Sequence, residues 1–247
     1  MRKFGLIGRK LGHSFSKKYF TEKFEKEGIN NAAYELYELE DIDALPELLN
    51  RESGLEGLNV TIPYKRDVMK YLDDLDERAE RIGAVNVVKI TDGKLKGYNS
   101  DYYGFRQSLE DWLDHPPNEL KAMILGTGGA SKAVKVALED MEMPYQFVSR
   151  SHGENQISYQ ELAENHDLFG DTRLIINTTP LGMYPKVEEC PEIPYELLSE
   201  HHYLYDLVYN PLETLFMKKG IEKGAKAMNG LPMLELQAEK SWDIWNS

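Results

Sequence analysis

The run from Lys121 to Ala133 constrains the fold of this chain more than any other. Lys121 to Leu125 is a short, largely apolar run of strand type. The segment GTGGASKA, Gly126 to Ala133, follows at once and opens a helix reaching about Asp140. Gly126 permits a tight turn, and Gly128 lets the backbone approach a pyrophosphate whose charge the helix N-terminus favours. A plain strand-to-helix turn also uses glycine, but the strand-loop-helix context favours dinucleotide binding. Ser131 stands where the usual fingerprint has its third glycine, so the match is incomplete. The tip of the next strand, Tyr145 to Val148, selects the cofactor. An acid there would accept hydrogen bonds from a ribose 2′-hydroxyl. The chain instead has Ser149-Arg150-Ser151. An arginine flanked by hydroxyls suits a 2′-phosphate and favours NADP over NAD. Glu154 close by opposes a phosphate, and a simple surface arginine is the alternative reading.

A second αβ pattern precedes this one. Phe4 to Ile7 reads as a buried strand. Ser16 is placed to cap a helix whose apolar face is Tyr19, Phe20 and Phe24. Tyr34 to Leu39 alternates like a strand. Ile42, Leu45, Leu48 and Leu49 have helical spacing, and Leu58 to Ile62 is another strand. This β-α-β-α-β order predicts a parallel sheet with covering helices. Val85 to Ile90 and Lys94 to Tyr98, joined at Asp92-Gly93, predict a hairpin. A helix is expected around Phe105 to Leu113, broken by His115-Pro116-Pro117-Asn118. Further strands are expected at Leu174 to Asn177 and Tyr203 to Leu207. A helix is expected at Leu212 to Lys219, and a final amphipathic one carries Met233, Leu234, Trp242 and Ile244. The expected class is therefore α/β with two α/β domains and a cleft between them. Ligands favour such crevices at strand carboxyl ends.

With 247 residues and 41% hydrophobic composition, the chain can bury a core and is not expected to be disordered. Its net charge of −13 argues against nucleic-acid or anionic-membrane binding as the main task. Cys190 is the single cysteine, which excludes an internal disulfide and a cysteine-based metal site. The six histidines lack metal-binding spacing, so no metal is expected. The N-terminal apolar run is interrupted by Arg9 and Lys10 and is too short for a signal peptide, so a cytoplasmic location is expected.

Several short motifs carry candidate chemistry. In GLNVTIPYK, Lys65 follows a proline turn and two hydrogen-bonding side chains, Asn59 and Thr61. In GYNSDYYG, Asp101 sits in a glycine-bounded turn. A Lys⁺/Asp⁻ pair can move a proton while neighbouring amides and hydroxyls hold a polyol. In GHSFS, Ser14 and Ser16 suit a carboxylate, although Ser16 serves equally well as a helix cap. Asn86 in GAVNVV either binds hydroxyls or stabilises a turn. NTTPLGM, Asn177 to Met183, either lines a nicotinamide or is a plain turn. DLVYNPLETLF puts Asp206 at a strand end with Tyr209 after it. Gln237, taken alone, reads as a solvated helix residue.

In their order along the chain, GHSFS, GLNVTIPYK, GAVN, GYNSDYYG, GTGGASKA, SRS, NTTPLGM, DLVYNPLETLF and NGLPMLELQAE resemble the shikimate dehydrogenase family over nearly the whole chain. NVTIPYK, GYNSD and MLELQA are the specific elements. The resemblance implies an N-terminal substrate domain, residues 1–101 with 229–247, and a Rossmann-type NADP domain, residues 102–228. It implies NADPH-dependent reduction of 3-dehydroshikimate to shikimate in chorismate and aromatic amino-acid biosynthesis. It implies that Ser14 and Ser16 hold the substrate carboxylate, and that Asn59, Thr61, Asn86, Asp101 and Gln237 bind hydroxyls, with Tyr209 also at the substrate. Lys65 and Asp101 would form the catalytic pair. Gly126, Thr127, Gly128, Gly129, Ala130, Ser149, Arg150, Ser151, Thr178, Met183, Leu207 and Gly230 would face the cofactor. Three departures stand out. Lys17 replaces the family's usual proline, Ser100 replaces a threonine beside Asp101, and SRS replaces NRT without the second basic residue. A quinate/shikimate dehydrogenase using NAD and a non-catalytic nucleotide-binding regulator on the same fold are the alternatives. A monomer or homodimer is expected, acting on a small molecule.

Overall fold

The computed structural model describes residues 1–12, 14–153 and 155–247. His13 of the serine-rich loop and Glu154 beside the expected phosphate site lie outside the described residues. The chain divides into two compact units, Met1–Ser100 with Gln237–Ser247, and Asp101–Leu236. The corresponding expectation from the sequence had its boundaries at 101/102 and 228/229. Among the described residues each unit carries one six-stranded sheet, and no helix is long and apolar enough to cross a membrane.

The first unit contains β1 (Arg2–Gly8), β2 (Ala32–Glu38), β3 (Leu55–Val60), β4 (Asp74–Leu75), β5 (Val87–Thr91) and β6 (Lys94–Tyr98), in the spatial order β2-β1-β3-β5-β6-β4. Its helices are α1 (Phe15–Glu27), α2 (Leu45–Arg51) and α3 (Glu77–Ile82). β1 pairs parallel with β2 and β3, which matches the β-α-β-α-β pattern. β4 also pairs parallel, with β6. β5 runs antiparallel to both β3 and β6, so the sheet is mixed. The β5–β6 pairing is the expected hairpin: Asp92 and Gly93 both have positive φ, 50° and 75°, and close its tight turn. Side chains of β1 alternate between two cores. Phe4 and Leu6 join Phe20, Phe24, Trp242 and Trp245, while Ile7 joins Leu45, Leu48, Val60 and Val68.

The second unit contains β7 (Ala122–Leu125), β8 (Tyr145–Ser149), β9 (Gln156–Ser158), β10 (Leu174–Asn177), β11 (Tyr203–Asp206) and β12 (Lys226–Met228). All neighbouring pairs are parallel, in the order β12-β11-β10-β7-β8-β9. Counted within the unit this is the 3-2-1-4-5-6 order of doubly wound dinucleotide-binding sheets, whose direction reverses between β7 and β10. The accompanying helices are α4 (Ser100–Trp112), α5 (Gly129–Asp140), α6 (Tyr159–Glu164), α7 (His166–Gly170), α8 (Leu215–Ile221) and α9 (Leu231–Asn246). α4 begins at Ser100, where the first unit's N-terminal segment ends, and α9 returns to that unit from Gln237 onward.

Several expected boundaries move. α4 starts at Ser100, before the expected Phe105, and so takes in Asp101, which the sequence placed in a turn. α1 starts at Phe15, so its cap is Ser14, whose backbone is extended and whose side chain accepts from Lys17 N; Ser16 already lies in the first turn. α8 starts at Leu215 and not at Leu212. The Thr214 hydroxyl accepts from Met217 N there, satisfying one of the orphan donors of the first turn. β3 stops at Val60. Thr61 N still reaches Ile7 O, after which Pro63, without an N–H, cannot continue a ladder.

Candidate active site

Three candidate substrate residues of the first unit, Asn59, Asn86 and Gln237, meet in a buried hydrogen-bond network at the carboxyl end of its sheet. Asn59 is the last but one residue of β3, and Asn86 immediately precedes β5; both are buried. Asn59 Nδ2 donates to Asn86 O at 3.3 Å and to Ser241 Oγ at 3.0 Å. Asn59 Oδ1 accepts from the Tyr34 hydroxyl at 2.8 Å. Asn86 Nδ2 donates to Ser100 Oγ at 3.0 Å and to Gln237 Oε1 at 3.4 Å. Ser100 N donates to Asn86 Oδ1 at 2.6 Å, while Ser100 Oγ donates to Gln237 Oε1 at 3.2 Å. Ser241 Oγ donates to Gln237 O at 2.8 Å, one turn back along α9.

Gln237 is thus buried and bonded, which corrects its reading as a solvated helix residue. One face of α9 packs Ile244 and Trp245 into the aromatic core and so carries Gln237 and Ser241 inward. Tyr34 and Ser241 are absent from the sequence-based site. A tyrosine in an alternating strand and a serine in an amphipathic helix carry no local signal of function. Burial pushes the Tyr34 phenol far above its ordinary value, and the Ser16 side chain opposes the shift.

The serine loop is held from both sides. Ser14 Oγ accepts from Lys17 N at 3.3 Å, a bond that proline at 17 would forfeit. The Lys17 ammonium donates to Tyr34 O and lies 2.8 Å from Glu35 Oε2 on the edge strand β2. Leu11 N, earlier in the loop, donates to Glu38 Oε1 at 2.7 Å. Thr61 follows β3, and Tyr64 N donates to Thr61 O at 3.0 Å to close the turn before Lys65. Lys65 is half-buried, and its backbone carbonyl accepts from Val85 N at 2.7 Å. Asp101 is half-buried in the first turn of α4, next to the network residue Ser100.

In the second unit the glycine loop lies at the carboxyl end of β7, beside the topological switch. Gly126 has φ 98°, a conformation other residues rarely adopt, and its N–H donates to Val148 O at 2.8 Å. A side-chain carbon at Gly128 or Gly129 would meet no atom within 4 Å. No side chain caps the N-terminus of α5. Open ground over uncapped N–H groups is what a pyrophosphate requires, so these residues fit a dinucleotide. Thr127 and Ala130 flank those glycines. Ser131 is buried and turns its hydroxyl back to Gly128 O at 2.7 Å, so it occupies the third glycine position without entering the open side.

The Ser149 hydroxyl donates to Ser151 O at 2.8 Å and shapes the turn that leaves Arg150 exposed. Thr178 Oγ1 donates to Leu125 O at 2.7 Å, tying the loop after β10 to the end of β7. Gly230 N donates to Val208 O at 3.1 Å, and a Cβ on Gly230 would stand 2.2 Å from Leu207 O, so those two candidate cofactor residues are in contact. Met183 and Tyr209 remain 47% and 40% exposed on loops after β10 and β11. Beneath these loops lies Asp206, fully buried, accepting from Asn177 Nδ2 at 2.9 Å, Val208 N at 3.0 Å and Thr214 Oγ1 at 2.6 Å. Burial pushes its carboxyl up to about 6, against the lowering effect of those three bonds.

The doubly wound sheet with an uncapped glycine-rich helix start at its switch point defines a dinucleotide-binding α/β protein. Residues 6–88 match the family model of the shikimate dehydrogenase substrate binding domain. The chain is 40% identical over 259 residues to the shikimate dehydrogenase (NADP(+)) of Clostridium beijerinckii, covering 99% of this chain and 92% of that relative. A crystal structure of a shikimate dehydrogenase in complex with NADP+ superposes with a TM-score of 0.86 at 33% identity, covering 99% of this chain and 90% of that one. The shikimate 5-dehydrogenase of Thermus thermophilus, solved in complex with NADP(H) and shikimate, gives a TM-score of 0.84 at 31% identity, covering 99% of this chain and 93% of that one. The chain belongs to the shikimate dehydrogenase family of oxidoreductases.

Proposed function

We propose that this protein catalyses the reversible, NADPH-dependent reduction of 3-dehydroshikimate to shikimate, a step toward chorismate and the aromatic amino acids. The observation that carries this reading is the buried network of Asn59, Asn86, Ser100 and Gln237, a concentration of amides and hydroxyls suited to a polyol. Residues 1–101 with 229–247 bind the substrate, and residues 102–228 bind the cofactor. Ser14 and Ser16 hold the carboxylate. Asn59, Thr61, Asn86, Asp101, Tyr209 and Gln237 hold or face the ring hydroxyls. The open loop Gly126 to Ala130 holds the pyrophosphate, Arg150 with Ser149 and Ser151 holds the 2′-phosphate, and Thr178, Met183, Leu207 and Gly230 border the nicotinamide.

The chemistry supplied by the bound nicotinamide is a hydride, delivered to the C3 carbonyl carbon. Negative charge develops on the carbonyl oxygen, and the Lys65 ammonium stabilises it and transfers a proton to it. Asp101 orients Lys65 and accepts from the adjacent hydroxyl. In the oxidative direction neutral Lys65 takes the proton back. The protein acts in the cytoplasm, as a monomer or homodimer. The test is shikimate oxidation followed by the absorbance of the reduced nicotinamide, with NADP+ and NAD+ in parallel. Shikimate-dependent reduction, faster with NADP+, is expected; no reduction of either cofactor overturns the activity, and preference for NAD+ overturns the assignment of Arg150.

A further inference from the structure

Tyr34 holds one of the proposed substrate-binding side chains, Asn59. It lies on β2, is only 2% exposed, and stacks on Phe20 at a centroid distance of 4.7 Å. Its hydroxyl donates to Asn59 Oδ1 at 2.8 Å. Proton counting fixes the direction of this bond. Asn59 faces the Asn86 carbonyl, which only accepts, so the amide nitrogen must lie on that side. Its Oδ1 is therefore turned toward Tyr34 and takes the single phenolic proton.

Both Asn59 amide hydrogens are committed, one to Asn86 O and one to Ser241 Oγ. Its remaining capacity is a lone pair on Oδ1. Toward a ligand Asn59 can only accept, so it recognises a hydroxyl and not a carbonyl.

We propose that Tyr34 is a positioning residue for substrate: its hydroxyl holds Asn59 as a pure acceptor for a ring hydroxyl. The proposal rests on the activity assigned above. Tyr34→Phe tests it, because the ring and its stacking are retained and only the hydroxyl is lost. Releasing Asn59 raises KM for shikimate roughly tenfold, with kcat and KM for NADP+ nearly unchanged. In an Asn59→Ala background the same change has a much smaller effect on that KM, since the group being held is already gone. An unchanged shikimate KM, with or without a lower Tm, overturns the role, and so does a tenfold effect undiminished by Asn59→Ala. Wild-type protein is assayed alongside. Absence of shikimate turnover there overturns the activity itself and this role with it, whereas wild-type turnover with an indifferent Tyr34→Phe overturns the role alone.

Discussion

Lys65 is the residue on which the proposed proton transfer depends, and its surroundings explain how a flexible side chain can be aimed. The backbone is anchored on both sides. Tyr64 is buried and its hydroxyl donates to Leu39 O at 2.6 Å, while Lys65 O accepts from Val85 N at 2.7 Å. Val68 N donates to Tyr64 O at 3.0 Å and fixes the following turn. A fixed backbone lowers the entropy lost on reaching the reactive geometry. Lys65→Met keeps most of that stem and removes the proton. Steady-state kinetics should show kcat lowered by about 10²–10⁴-fold with KM for shikimate little changed, because the lost interaction belongs to the transition state. Circular dichroism should show the same Tm. A kcat near wild type would rule Lys65 out as the proton donor.

At the scale of elements, the two glycine types in the cofactor loop separate folding from binding. Gly126 is required by its own backbone: φ is 98°, and a Cβ would press to 2.8 Å from Thr179 Cγ2. Gly128 has an ordinary φ of −76° and open space around it. Gly126→Val should therefore lower Tm, by strain of about 1–3 kcal/mol. Gly128→Val should leave Tm alone and raise KM for NADP+ at least tenfold, by filling ground meant for the pyrophosphate, and its KM for shikimate is the internal control. Arg150→Ala, on the exposed turn after β8, should weaken NADP+ far more than NAD+; equal losses would show that it does not read the 2′-phosphate.

The same elements show what could be read beforehand. Continuous apolar runs and the Asp92-Gly93 turn located β1, β7, β10 and the β5–β6 hairpin, since each depends on residues adjacent in sequence. β4, β9 and β12 have two or three residues, too few to display any period, and exist because a neighbouring strand offers an edge. In the candidate site, Asn59 and Asn86 stand in short motifs that draw attention, whereas Tyr34 and Ser241 reach Asn59 from 25 and 182 positions away. Such partners are set by the packing of α1, β2 and α9 around the aromatic core, which no local pattern encodes.

The stability of the molecule as a whole carries the imprint of two titrating groups buried in the second unit. Asp206 holds β10, β11 and the start of α8 together through Asn177, Val208 and Thr214, yet its carboxyl is pushed by burial from 3.8 to about 6. A folded value above the unfolded one means that the folded state binds this proton more tightly. Its stabilising effect is complete below about pH 4 and is lost as pH rises through 6, a change of about 3 kcal/mol. His202 acts in the opposite sense. It is 5% exposed, and its Nε2 is buried without a hydrogen-bond partner among the described residues; burial lowers its basicity below the ordinary 6.5. Its contribution is complete above pH 6.5 and is lost on acidification, as the buried ring must charge. Asp206→Asn removes the first effect and leaves the second. The amide sacrifices the acceptor that Thr214 Oγ1 uses, a constant cost that does not depend on pH. Thermal unfolding of both proteins from pH 4 to pH 8 should therefore show the Tm of Asp206→Asn rising relative to wild type as pH increases through 6. A Tm difference that stays flat across this range would mean that Asp206 is charged throughout, and that its three hydrogen bonds outweigh its burial.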